Sequence, residues 1–171
     1  MELVECFGSD VNQAFLNLVV NASHAAPGGV ITVGTGRDVY GVRARDETRR
    51  ADLKDSPCRV RRTAGWTPRP RRTDVEPGTE GVLLYVADEG PGVPEELRER
   101  IFDPFFTTKA PGEGTGLGLA IVARTVHEAG GTVWVDRARE GGAVFKVFLP
   151  TASAAEADRE ILEPMHAAAH R

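Results

Sequence analysis

Residues 102–119 read FDPFFTTKAPGEGTGLGL, an aromatic hinge, a Thr/Thr/Lys cluster and a glycine run that opens a helix. Glycines at 112, 114, 116 and 118 let backbone N–H groups approach an anion closely. The apolar residues Leu117, Ala120, Ile121 and Val122 start a helix whose positive end faces that anion. The stretch has the character of a lid and a phosphate cradle. It lacks the Gly-Lys-Ser/Thr ending of a Walker A loop and the spacing of a GxGxxG dinucleotide fingerprint. Taken alone, such a glycine run reads equally well as a loop before a core helix.

Downstream, the helix is expected to end near Gly130 and Gly131, followed by strands over 132–136 and 143–149 with a turn at Glu140, Gly141 and Gly142. Upstream, Pro94 with Glu95 and Glu96 behind it predicts a short helix through Leu97 and Ile101. Before it lies a strongly apolar strand over 82–87, ending at Asp88, and further back β-branched alternation marks a strand over 30–35. A helix with Asp10 as its start and Gln13 as capping-box partner runs to about Ala26, where Pro27, Gly28 and Gly29 end it. Its core face is Val11, Phe15, Leu18, Val19, Ala22 and Ala26. Residues 3–6 read as one more short strand. Helices and strands that mix without regular βαβ alternation predict an α/β (α+β) two-layer sandwich, a mixed sheet of about five strands covered on one face by about three helices.

The 171 residues, 41% hydrophobic and 27% charged, suit one globular domain with a proper core. No apolar run approaches the roughly 20 residues needed to cross a bilayer. The N-terminus MELVECFGSD has neither the basic nor the apolar region of a signal peptide, so a cytoplasmic protein is expected. Cys6 and Cys58 lack metal-ligand spacing and read as isolated thiols in a reducing compartment. The net charge of −4 is uneven: from Arg37 to Arg72 twelve basic residues stand against five acidic ones, which leaves −11 for the rest. That acidic remainder argues against a nucleic-acid-binding body. The segment at about 36–81 is too long for an ordinary connection and too polar for a core, and is expected to be a disordered insertion. Its aromatics between Arg37 and Arg72, Tyr40 and Trp66, form no stacking platform, so nucleic acid is not an expected partner. The domain is placed at 1–150, with 151–171 as an Ala-rich tail.

Two further features carry chemistry. Asn17 and Asn21 stand four apart on the first helix and share a face outside its apolar set. Their amide oxygens suit a hydrated Mg²⁺, which takes a few protein oxygens along with waters and phosphates; a pair of surface amides is the plainer alternative. Asp88, Gly90 and Gly92 lie in DEGPG directly after an apolar strand. A carboxylate there can accept an N–H from the exocyclic amine of adenine while the glycines let the backbone pass the base; a simple surface turn fits as well.

Four segments in one order narrow these alternatives. NLVVNASHAA at 17–26, DEGPGVP at 88–94, FDPFFTTK at 102–109 and GEGTGLGLAI at 112–121 stand as the N, G1, F and G2 boxes do. The chain resembles the catalytic ATP-binding domain of a bacterial sensor histidine kinase, in the superfamily that includes type II topoisomerase and heat-shock chaperone ATPases. VECFGSDVNQAFL before the first box and FKVFLP near the end extend the resemblance over nearly everything except the basic insertion and the tail.

The resemblance implies the Bergerat ATP-binding fold, with ATP and Mg²⁺ as cofactors. It implies Asn21 as the magnesium ligand with Asn17 nearby, Asp88 as the adenine reader helped by Gly90 and Gly92, and Lys109 as a charge for the terminal phosphates. Thr107 and Thr108 belong to the lid, and Gly114, Thr115, Gly116, Leu117 and Gly118 to the phosphate cradle. His24, one turn beyond Asn21, falls near the phosphates or else is an exposed helix imidazole. Phe102, Phe105 and Phe106 are expected to pack the lid base on the core.

Ala143 departs from the pattern, standing where many relatives carry Thr or Ser. Asn17 occupies the position at which topoisomerase and chaperone relatives have a water-activating Glu, so fast autonomous hydrolysis is not expected. Eleven residues before Asn12 leave no room for a dimerising hairpin, and His24, His127, His166 and His170 lack the context of a phosphoacceptor. The expected partners are therefore a separate histidine phosphoacceptor and dimerisation module and, through it, a response regulator. Two other readings are a stand-alone anti-sigma-type Ser/Thr kinase and a non-catalytic ATP-dependent interaction module.

Overall fold

A computed structural model of the chain describes residues 8–41, 75–110, 114–138 and 141–151. The expected strand at 3–6, Cys6, Cys58, Trp66, Gly112, the interior of the basic segment and the tail beyond Thr151 lie outside the described residues.

The first element, α1 (Gly8–Ala25), begins two residues ahead of the expected start. Gln13 is therefore inside the helix, and its side chain donates to Asn17 Oδ1 at 3.3 Å in place of a capping role. Residues at four-residue spacing, Ala14, Leu18, Ala22 and Ala26, are buried, and Phe15 and Val19 pack beside them, as a 3.6-residue period requires.

Strands β1 (Thr32–Val39) and β2 (Glu80–Ala87) follow, paired antiparallel from Thr32↔Ala87 to Val39↔Glu80. They reach into both ends of the segment expected to be disordered, so that expectation is corrected for residues 36–39 and 80–81. Residues 36–39 pair with residues 80–83 of β2, whose other edge is held by β4, and this fixes them despite their polarity.

The short helix expected after Pro94 is two single 3₁₀ turns, Glu95–Leu97 and Arg100–Phe102. Asp103 ends the second with ψ 138, the extended geometry imposed on a residue before proline. Helix α2 (Gly118–Glu128) closes with Gly131 N–H on Val126 O (2.8 Å) and Gly130 N–H on His127 O (2.9 Å), the Schellman pair of bonds. Strands β3 (Thr132–Arg137) and β4 (Ala143–Pro150) complete the described chain.

The sheet order is β1-β2-β4-β3, and every pairing among the described strands is antiparallel, where a mixed sheet was expected. The reason is topological: β2 and β3 run in the same direction around α2, but β4 folds back between them and takes both edges. Val86 of β2, Val135 of β3 and Ala143, Phe145, Val147 and Leu149 of β4 meet α1 and α2 in one core with Leu18, Val122 and Val126. On the opposite face Tyr85, Ala87 and Val144 cluster, and Lys146 Nζ bonds Asp136 Oδ2 at 2.9 Å. This is a two-layer α/β sandwich. Among the described residues no helix is long and apolar enough to cross a membrane.

Candidate functional site

Strand β2 is apolar to its last residue and delivers Asp88 where the sheet stops, 3% exposed. Burial of a carboxylate demands hydrogen bonds, and backbone groups supply them. Asp88 Oδ1 accepts from Gly90 N–H (2.9 Å) and Ala143 N–H (3.2 Å), while Asp88 N–H donates to Ala143 O (2.9 Å). Asp88 Oδ2 accepts no hydrogen bond among the described residues. Gly90 lies against the end of α1: a β-carbon there would sit 2.7 Å from Ala25 O. Gly92 likewise abuts Gly142 O, and Glu89 Oε2 accepts Val30 N–H at 3.1 Å. The expected trio of Asp88, Gly90 and Gly92 is thus one compact corner between α1, β2 and the β3–β4 turn.

Asn17 and Asn21 face the start of α2. Asn17 Nδ2 donates to Gly118 O at 3.3 Å, and a β-carbon built on Gly118 would lie 3.9 Å from Asn21 Nδ2. Asn21 makes no side-chain hydrogen bond among the described residues, so its amide is available. His24, one turn further on, meets the lid: Lys109 Nζ is 2.9 Å from His24 Nδ1.

The lid folds on itself. Thr107 Oγ1 accepts Lys109 N–H at 3.2 Å, Gly114 abuts Thr107 and Lys109, and Thr115 Oγ1 accepts Leu117 N–H at 3.3 Å. Thr108 is exposed and unbonded among the described residues. Gly116 O accepts Phe105 N–H at 3.0 Å, which joins the two ends of the lid.

The three phenylalanines part company. Phe102 packs edge-on to Phe145 at 6.4 Å, and Phe106 carries the Arg100 guanidinium 4.8 Å from its ring centre. Phe105, expected to pack on the core, is 75% exposed with φ 65, the one described non-glycine residue in the left-handed region. Its backbone turns back to bond Gly116, and that directs the ring outward.

Of the fourteen residues proposed from sequence, Asn17 and Asn21 meet Gly118 across α1 and α2, His24, Thr107, Lys109 and Gly114 meet at the lid, and Asp88, Gly90 and Gly92 share the corner at the end of α1. Sequence reasoning missed Gly142 and the backbone of Ala143, which hold Asp88; the available signal was a pair of glycines where one would serve a turn. No group of three His, Cys, Asp or Glu side chains converges as a metal site among the described residues. A divalent cation beside Asn21 would complete its shell from water and ligand oxygens, which suits magnesium.

The family model described as "Histidine kinase-, DNA gyrase B-, and HSP90-like ATPase" matches residues 8–153. The chain is similar to the sensory histidine kinase/phosphatase NtrB of Azospirillum brasilense, 37% identical over 140 residues, covering 81% of this chain and 28% of that protein. It is similar to the sensor kinase CckA of Brucella abortus (strain 2308), 45% identical over 74 residues, covering 43% and 8%. It thus spans well under a third of the length of these relatives. Among solved structures, the catalytic domain of histidine kinase ThkA superposes with a TM-score of 0.56 at 30% identity, over 86% of this chain and 70% of that one. Full-length ShkA in complex with AMPPNP gives a TM-score of 0.54 at 28% identity, over 85% and 22%.

Proposed function

The chain belongs to the histidine kinase-, DNA gyrase B- and HSP90-like ATPase family, and on that premise we propose that residues 1–150 form the ATP-binding catalytic domain of a cytoplasmic sensor histidine kinase. It transfers the γ-phosphate of Mg-ATP to a histidine on a separate dimerisation module, from which a response regulator takes it. The observation that carries this reading is the convergence of Asn17 and Asn21, the start of α2 and the lid beyond the buried Asp88. The similarity to ShkA, solved in complex with AMPPNP, supports nucleotide binding by this fold.

Asp88 Oδ2 accepts the adenine 6-amine, an exchange that needs no reorganisation because Oδ1 is already held. Asn21 holds Mg²⁺ through its amide oxygen, and the ion when bound neutralises charge on the transferring phosphate. Gly114, Thr115, Gly116 and Gly118 offer backbone N–H groups at the start of α2 to the phosphates, and Leu117 adds its own once that N–H leaves Thr115 Oγ1. Lys109 leaves His24 for the terminal phosphate, and both then face it from α1 and the lid. Asn17 is committed to Gly118 and its amide takes no proton from water, so turnover without an acceptor is slow.

The test combines the 171-residue chain, Mg²⁺, ATP and a histidine-bearing dimerisation hairpin. Acid-labile phosphate on the hairpin is expected, lost with Asn21→Ala. Acid-stable phosphate, or ATP binding indifferent to both Asp88→Ala and Asn21→Ala, would overturn the reading.

A further inference from the structure

We propose that the β3–β4 turn at Gly142 and Ala143 sets base specificity by dictating which atom of residue 88 faces the base. The inference rests on the reading of Asp88 as the adenine acceptor. Ala143 N–H and Gly90 N–H both point at Oδ1, at 3.2 and 2.9 Å, and Ala143 O holds the Asp88 N–H at 2.9 Å. One oxygen is therefore reserved for two backbone donors, and the other accepts no hydrogen bond among the described residues.

The turn approaches this closely because position 142 has no side chain. Gly142 has φ 79, and a β-carbon built on it would overlap Asp88 O and stand 3.0 Å from Asp88 Oδ1. Gly141 provides the contrast: its φ of 102 is equally unsuited to an L side chain, but a β-carbon there meets nothing within 4 Å. Gly142 is a positioning residue, acting on the base through Asp88.

A carboxylate is symmetric and hides this orientation, whereas an amide reveals it. In Asp88→Asn the two backbone donors require the amide oxygen on their side, which turns the NH₂ toward the base. That NH₂ opposes the 6-amine of adenine and matches the 6-oxygen of guanine. A site built around one hydrogen-bond pattern discriminates strongly against the opposite one.

The experiment is calorimetric titration of the 171-residue chain with Mg-ATP and Mg-GTP. Asp88→Asn is expected to weaken ATP by at least about tenfold and to move the ATP:GTP affinity ratio toward GTP by about a hundredfold. Adding Gly142→Ala, which pushes the turn off residue 88 and lets the amide rotate, is expected to erase most of that shift. Gly141→Ala, with similar strain but no overlap, is expected to leave it within about twofold. Loss of ATP with an unchanged ratio overturns the inference while keeping Asp88 as the base contact. An ATP affinity indifferent to Asp88→Asn removes both. If Gly142→Ala does not fold, amide hydrogen exchange decides: Asp88→Ala must speed the Ala143 amide at least about tenfold more than that of Val147, and equal change refutes the clamp.

Discussion

The two ends of the site are built on different terms. At the base end a buried carboxylate is held by Gly90, in the bend just past β2, and by Ala143, the first residue of the core strand β4. At the phosphate end the described lid residues, 107–110 and 114–117, are mostly exposed and bond largely to one another, with Lys109 resting on His24. The base end is organised before any ligand arrives, and its accuracy comes from the sheet. Among the described residues the phosphate end is tied down by short local hydrogen bonds, which give way more readily than bonds held between core strands.

The largest effect is expected from Asp88→Ala, which leaves one buried and one part-buried backbone N–H group without an acceptor and removes the base contact. Nucleotide affinity should fall about a hundredfold in calorimetry, and melting temperature should fall with it, since this end is also structural. A normal melting temperature would break the claim that the base end is tied into the fold. Asn21→Ala is expected to lower phosphoryl transfer by about tenfold or more while the melting temperature stays within a few degrees, because its amide makes no hydrogen bond among the described residues. Lys109→Ala should reduce kcat about fivefold with nucleotide affinity little altered, the mark of an exposed charge recruited late. The smallest effect belongs to Phe105→Gly: relief of a left-handed backbone is expected to raise stability by about 1 kcal/mol in denaturant titration. Any loss of transfer to the hairpin in that variant would sharpen the contrast, assigning the exposed ring to the acceptor side.

Much of this site was legible in the linear chain because its parts are short and locally patterned. Asn17 and Asn21 share a helix face by spacing alone, and Asp88 is marked by the apolar strand that ends at it. The elements were legible for the same reason, as Leu18, Ala22 and Ala26, expected in the core face of α1 and buried there, illustrate. The expectations that failed depended on neighbours distant in sequence. Residues 36–39 became strand because β2 lies beside them, and Phe105 turned outward because Gly116 bonds its N–H from across the lid.

The sequence by itself determined the family, the identity of the groups that meet adenine, magnesium and phosphate in the proposed function, and the order in which they occur. Only the tertiary structure decided that β4 is inserted between β2 and β3, and with it that Ala143 and Gly142 fall against Asp88. A local pattern specifies a residue's chemistry and the face it presents, since both follow from the backbone period. Which atom of Asp88 remains free depends on a hydrogen bond from 55 residues away, and no period within the chain encodes that distance.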